Sequence, residues 1–136
     1  MIVVDDSTWP LVVVRVRFAP SGEPSELNGV KRLLWATEPC ALAVVVPGSG
    51  EQALILQEAA MQWFRRYELA ITGHCRAIAW VVENDLLRTT IAALLRLQGN
   101  HAFGCPSRTV STLSPAMEWL RDELGLPAAF PRVAHD

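Results

Sequence analysis

The chain reads Ala-Leu-Ala-Val-Val-Val-Pro-Gly-Ser-Gly from residue 41 to residue 50. Six consecutive apolar residues, 41–46, are typical of a strand that is buried on both faces of a sheet. Residues 47–50 predict a sharp turn, and residues 51–71 then carry apolar side chains at helical spacing. Because a buried strand that leads into an amphipathic helix is the repeating unit of parallel sheets, we predict an α/β fold.

Strands and helices alternate along most of the chain. The predicted strands are residues 2–4, 11–18, 41–46, 77–82 and either 102–105 or 108–110. The predicted helices are residues 21–36, residues 51–71, a segment from Asn84 or Asp85 to just before Gly99, and a segment from Thr112 or Ser114 to Leu124. The first two strands are expected to pair as a hairpin. The pattern predicts one domain over residues 1–124, with a mostly parallel sheet of about five strands and about four helices, and a tail over residues 125–136.

Composition excludes several classes of protein. The 136 residues are 51% hydrophobic, and 12 basic against 14 acidic residues give a net charge of −2. This balance provides no electrostatic reason to expect a nucleic-acid partner. No apolar run approaches the ~20 residues of a membrane-spanning helix, so we do not expect an integral membrane protein. Residues 1–6 lack the basic and apolar regions of a signal peptide, which predicts a cytoplasmic location.

The titratable and nucleophilic residues form no recognised catalytic pattern. Cys40, Cys75 and Cys105 are widely spaced and include no Cys-x-x-Cys pair, so we interpret them as buried thiols. A metal site from His74, His101 and Cys105 matches no standard zinc spacing. We therefore predict no catalytic residues, no metal, no cofactor and a protein that is not an enzyme.

Four stretches, in this order, resemble the SpoIIAA-like family, which has the STAS fold of anti-sigma-factor antagonists. The stretches are Val-Asp-Asp-Ser at residues 4–7 with Trp-Pro-Leu-Val-Val-Val at 9–14, Tyr67-Glu68 at the end of the long helix, Cys-Arg-Ala-Ile-Ala-Trp-Val-Val at 75–82 with Leu-Leu-Arg at 86–88, and Thr112-Leu113 with Ala-Met-Glu-Trp-Leu at 116–120. The architecture is also related to that of CRAL-TRIO lipid-binding domains. The resemblance implies a bacterial-type regulatory or signalling module that binds a protein partner or a second copy of itself.

The resemblance also directs attention to the turn Gly48, Ser49 and Gly50. STAS antagonists carry a phosphorylatable serine at the start of the helix that follows the central strand, and Ser49 is the residue here that lies closest to that position. The Asp-Ser pair of the family is absent. A phosphorylation site, an anion-binding turn at a helix N-terminus, and a simple turn capped by Ser49 are the three interpretations.

Two further groups of residues suggest functions. Arg15 and Arg17 share one face of the second strand, which makes them a candidate surface for a protein partner. Apolar side chains on two helices predict a pocket between the sheet and the helices for a small hydrophobic ligand or lipid. The predicted pocket residues are Trp63, Phe64, Leu94 and Leu95. Partner binding is the first functional hypothesis, and ligand binding in the pocket is the alternative.

Overall fold

The computed structural model describes residues 2–17, 38–48 and 50–126, which form a six-stranded sheet with helices on both faces. The strands are β1 (Ile2–Asp5), β2 (Leu11–Val16), β3 (Cys40–Val46), β4 (Cys75–Val82), β5 (His101–Ala102) and β6 (Cys105–Val110). Their order across the sheet is β1-β2-β3-β4-β6-β5. The four central strands are parallel, and the two edge strands pair in antiparallel fashion. The predicted α/β class and mostly parallel sheet are confirmed, with six strands instead of about five.

The N-terminal strands form the predicted hairpin. Ile2 is opposite Val16 and Asp5 is opposite Val13 in the antiparallel pair β1–β2. The connecting turn is held in part by the Asp5 carboxylate, which accepts a hydrogen bond of 3.0 Å from the Ser7 N–H. Hydrogen bonding from the Ser7 side chain and from this N–H, assisted by the positive charge of Arg15, lowers the pKa of Asp5.

The C-terminal edge of the sheet is a second hairpin, which the sequence only partly predicted. One short strand was expected at either 102–105 or 108–110, but β5 and β6 are both present and pair with each other. Phe103 and Gly104 connect them with φ values of 51° and 76°. Two positive φ values in a two-residue loop match the twist of the flanking strands, as in a type I′ turn.

Four helices lie within the described residues. They are α1 (Gly50–Arg66), α2 (Glu68–His74), α3 (Asp85–Leu97) and α4 (Leu113–Leu124). The single helix predicted over residues 51–71 is in fact α1 and α2, because Tyr67 leaves helical geometry at φ −111° and ψ 23°. The buried stripe nevertheless continues to Ile71. The helix predicted over residues 21–36 and residues 127–136 of the predicted tail lie outside the described part, whereas Leu126 packs against the sheet.

The sheet separates two apolar layers. One face packs against α1, α2 and α3, through larger side chains such as Val44, Ile78 and Trp80. The other face packs against α4 and carries small residues at its centre. Those small residues are Ala41, Ala43, Ala77 and Ala79, all fully buried. Because their side chains are only methyl groups, the α4 backbone can approach this face closely.

Candidate functional site

A pocket of about 420 Å³ opens on the face of the sheet that carries Trp80. It lies between α1, α2, α3 and the turn that joins β5 to β6. Its apolar walls include Met61, Trp80, Leu87, Ile91, Leu95 and Phe103. Apolar walls around a volume of this size are typical of sites for small ligands, which occupy roughly 300–1,000 Å³.

Aromatic rings support one wall of the pocket. Phe64, on α1, is fully buried. Its ring stacks on Phe103 at 4.8 Å between centroids and is tilted against Trp80 at 5.2 Å. Trp63 packs edge-on against Phe64 at 5.2 Å. Because Phe64 touches two wall residues from behind, it holds both in place without lining the pocket itself.

Two residues that line the pocket each carry a buried polar atom without a hydrogen-bond partner. The atoms are Nε1 of Trp80, a residue that is only 2% exposed, and Oε1 of Gln57. Protein shields both atoms from a water-sized probe, so neither is open to the pocket, and the surface that a ligand would contact is chiefly apolar.

The structure separates the four predicted pocket residues into two pairs. Leu94 and Leu95 line the pocket. Trp63 and Phe64 lie behind its wall. Sequence reasoning missed Gln57, which is half-buried and also lines the pocket.

The structure describes Pro47, Gly48 and Gly50 of the turn between β3 and α1. Gly48 and Gly50 have φ values of 91° and 59°, in the left-handed region that glycine adopts most readily. The N–H of Gly48 donates to Oε2 of Glu83 at 3.2 Å. Ser49 lies outside the described residues, so its predicted roles stay predictions. An anion at this turn would meet the negative charge of the Glu83 carboxylate.

Residues at the end of β4 cap the next helix, as predicted. Oδ1 of Asn84 accepts a hydrogen bond of 2.8 Å from the N–H of Leu87. Asp85, at the first position of α3, forms an ion pair with Arg88. Arg88 also donates to the carbonyl oxygen of Val82 at 2.8 Å. These contacts assign the polar residues after β4 to the start of α3.

Arg15 and Arg17 are both exposed near the carboxyl end of β2. This strand lies next to the edge strand β1. The two arginines therefore lie on the side of the sheet away from β5 and β6. Their predicted role as a partner surface stays a prediction.

The three cysteines are buried free thiols, as predicted, and they lie close together. Cys40 and Cys75 are opposite each other in β3 and β4, and the Cys105 thiol donates to the carbonyl oxygen of Cys75 at 3.1 Å. Hydrogen bonding with the neighbouring thiols and burial raise the pKa of Cys75 far above its usual range. Within residues 2–17, 38–48 and 50–126, no group of three or more His, Cys, Asp or Glu side chains could hold a metal ion.

A second concavity of about 440 Å³ lies at the outer edge of β6, between α3 and α4. Arg96 and Arg108 line it, and neither makes an ion pair within the described part of the chain. The Arg108 guanidinium lies over the ring of Trp119, 4.9 Å from its centroid. Glu123 is the only acidic side chain among the described residues that line it. This groove is thus predominantly basic.

The backbone along this groove has an open edge. β5 pairs only with Cys105 and Pro106 of β6. On the same side of β6, the N–H of Ser107 donates to the carbonyl oxygen of Asn100 at 2.8 Å. Alternate residues of a strand direct their N–H and C=O groups to the same side, so Thr109 directs its groups outward as well. No strand of the described chain pairs with Thr109 on that side.

None of the helices among the described residues is long and apolar enough to cross a membrane.

The chain is similar to part of a curated enzyme. No family model matches the chain, and no solved structure matches it. A curated protein, the bifunctional enzyme IspD/IspF of Oleidesulfovibrio alaskensis, is 30% identical over 106 residues. The match covers 76% of this chain but only 27% of that enzyme. This similarity contradicts the prediction that the protein is not an enzyme, which rested only on the lack of a recognised catalytic motif.

Proposed function

We propose that this chain is a ligand-binding α/β domain whose pocket over Trp80 takes a small, largely apolar molecule. The observation that carries the proposal is a cavity of about 420 Å³ with chiefly apolar walls. Among the described residues, the other side chains on this face form one buried apolar cluster. A cavity of this volume in an otherwise packed layer favours a bound ligand.

We also propose that the α/β fold of this chain is of the SpoIIAA-like or STAS type. An antiparallel β1 beside the parallel strands β2, β3 and β4 supports the resemblance to SpoIIAA-like and STAS domains. The similarity to part of a bifunctional enzyme supports a place for this domain in a catalytic protein, in which the pocket would hold a substrate or a product. Because the chain spans about a quarter of that enzyme, the activity of the whole enzyme is not assigned to this chain.

Filling the pocket is expected to abolish ligand binding. Leu94 lines the pocket but is 54% exposed, so Leu94→Trp can place an indole in the cavity with little change in core packing. We expect the affinity for N-phenyl-1-naphthylamine, a neutral fluorescent probe, to fall at least about tenfold, because the cavity volume is lost. The measurement is a fluorescence titration of the wild-type and variant proteins.

Leu97→Trp is the matched control for this experiment. Leu97 is on the same helix, is 85% exposed and does not line the pocket. It should leave the affinity unchanged. A ligand site at this pocket would be contradicted if the wild-type protein did not bind the probe. It would also be contradicted if both variants lost the same amount of affinity for the probe.

Partner binding at the basic groove is the second candidate function, and the open edge of β6 favours it. We propose that an extended acidic segment of a regulatory or signalling partner adds as a strand beside Thr109, with its carboxylates near Arg96 and Arg108. Strand addition uses the free backbone groups of an edge, and opposite charge adds specificity. Arg15 and Arg17, the surface predicted from the sequence, lie near the opposite side of the sheet, on and just after β2.

Charge reversal distinguishes these two surfaces. The probe is a fluorescein-labelled peptide of alternating glutamate and valine, seven residues long, followed by fluorescence anisotropy. We expect Arg96→Glu combined with Arg108→Glu to weaken its binding at least about tenfold, because two attractive charges become repulsive. Arg15→Glu combined with Arg17→Glu should not change it. If only the variant with Arg15→Glu and Arg17→Glu loses binding of the peptide, the result would instead support the surface predicted from the sequence.

A further inference from the structure

The basic groove at the outer edge of β6 has walls from two different layers of the molecule. α3 packs on the face of the sheet that carries Trp80, and it contributes Arg96 to the groove. α4 packs on the opposite face, and it contributes Trp119 and Glu123. The open edge of β6 therefore lies between a wall from α3 and a wall from α4.

Arg108 belongs to the α4 side of this groove. It is opposite Ala79 in the parallel pair β4–β6, and Ala79 lies in the layer that α4 covers. Its guanidinium lies 4.9 Å from the centroid of the Trp119 ring, which is a cation–π contact with α4. Arg96 and Arg108 are both exposed, and neither forms an ion pair with another described residue. Among the described residues, the groove thus presents one arginine on each side of the plane of the sheet.

A strand that adds to this edge would direct consecutive side chains toward opposite walls. Successive side chains of a strand alternate between the two faces of a sheet, and neighbouring strands lie about 4.8 Å apart. One residue of the added strand would therefore face the α3 wall and Arg96, and the next residue would face the α4 wall and Arg108. An acidic residue at only one of these positions would leave the other arginine without a counter-ion.

We propose that the groove recognises two consecutive acidic residues in an extended segment of its partner, one for each arginine. This inference rests on the proposed addition of a strand beside Thr109, and it adds the sequence pattern that the partner carries. A segment in which acidic and apolar residues alternate presents all its carboxylates to a single wall. It should therefore bind less tightly than a segment of the same composition that contains adjacent acidic residues.

Glu123 makes the two walls unequal. It is exposed on α4, one helical turn after Trp119, and it lines the same groove. Its carboxylate would repel an acidic side chain beside Arg108, whereas the described residues that line the α3 side include no acidic one. A carboxylate should therefore bind more strongly beside Arg96 than beside Arg108, and Glu123 limits what the second carboxylate of the partner adds.

Two peptides of identical composition test the pattern. Glu-Val-Glu-Val-Glu-Val-Glu presents glutamate to one wall only, whereas Val-Glu-Glu-Val-Glu-Glu-Val presents adjacent glutamates to both walls. Their net charges are equal, so general electrostatic attraction does not distinguish them. Each carries an N-terminal fluorescein, and fluorescence anisotropy at low ionic strength measures its affinity for the wild-type protein. We expect the peptide with adjacent glutamates to bind at least about threefold more tightly, which is the size of one exposed ion pair.

Single variants assign this preference to the two arginines. Arg96→Gln and Arg108→Gln should each reduce the ratio of the two affinities to about one, because either peptide provides a glutamate for the remaining arginine. Arg66→Gln is the matched control and should leave the ratio unchanged, since Arg66 is exposed on α1 and does not line the groove. Glu123→Gln should raise the ratio, because repulsion at the α4 wall is removed. All four residues are exposed, so the variants are expected to fold, which circular dichroism checks.

The outcomes separate the recognised pattern from the proposed partner site. If neither peptide binds, or if Arg96→Glu combined with Arg108→Glu leaves both affinities unchanged, the proposed partner site is wrong. If both peptides bind equally and this charge reversal weakens both, the groove binds acidic segments and recognition of consecutive residues is wrong. Tighter binding of the alternating peptide would also overturn the inference, as would a preference that persists in both single arginine variants.

Discussion

Replacing Phe64 by alanine is expected to lower the free energy of unfolding by about 3–5 kcal/mol, a range typical of fully buried phenylalanines. Phe64 is fully buried, and its ring contacts those of Trp63, Trp80 and Phe103 at centroid distances of 4.8–5.2 Å. Truncation removes apolar contacts and leaves a cavity that three large rings cannot easily collapse to fill. Urea unfolding followed by far-UV circular dichroism measures the loss.

Leu69→Ala provides the control for Phe64→Ala. Leu69 follows Phe64 by five residues but is 90% exposed, so its truncation should change the stability by no more than about 0.5 kcal/mol. A loss below about 1 kcal/mol for Phe64→Ala would mean that the aromatic cluster does not support the pocket wall.

Enlarging Ala79 to leucine is expected to cost about 1–3 kcal/mol, the usual range for an overpacked core. Ala79 is opposite Ala43 in neighbouring strands, and both are fully buried. They belong to the layer that α4 covers with Met117 and Leu120. Three additional carbon atoms cannot enter this layer unless α4 moves away from the sheet. The midpoint of thermal unfolding reports the effect.

The exposed Ala93 of α3 allows the same change outside the core. Ala93→Leu adds the same three carbon atoms in contact with solvent, and it should leave the stability within about 0.5 kcal/mol of the wild type. Equal stability of the Ala79→Leu and wild-type proteins would contradict close packing of α4 on the alanines.

Much of the fold could be predicted because its signals are local. The apolar run at residues 41–46 identified β3, and every residue of this run except Val45 is fully buried. The start of α3 was predicted at Asn84 or Asp85, because capping depends on side chains a few residues apart, and Asn84 is the cap. The break at Tyr67 escaped detection, since the apolar stripe continues across a single non-helical residue.

The pocket could be predicted only in part, because it is assembled from distant segments. Leu94 and Leu95 belong to an amphipathic helix, so a position facing the sheet could be inferred. Gln57 carries no such signal, since a glutamine on an exposed helix face and one beside a cavity have the same local sequence pattern. Phe103 reaches the pocket only because a two-residue turn directs it there, and that turn depends on pairing of β5 with β6.

The placement of the three thiols has a consequence for the way in which the sheet opens. Cys40, Cys75 and Cys105 belong to β3, β4 and β6, which are consecutive strands in the centre of the sheet. Because each thiol is shielded and the raised pKa of Cys75 disfavours its reactive thiolate, chemical modification requires local separation of these strands. The rates at which the three thiols react with an alkylating reagent therefore give a strand-by-strand record of conformational opening in the native protein.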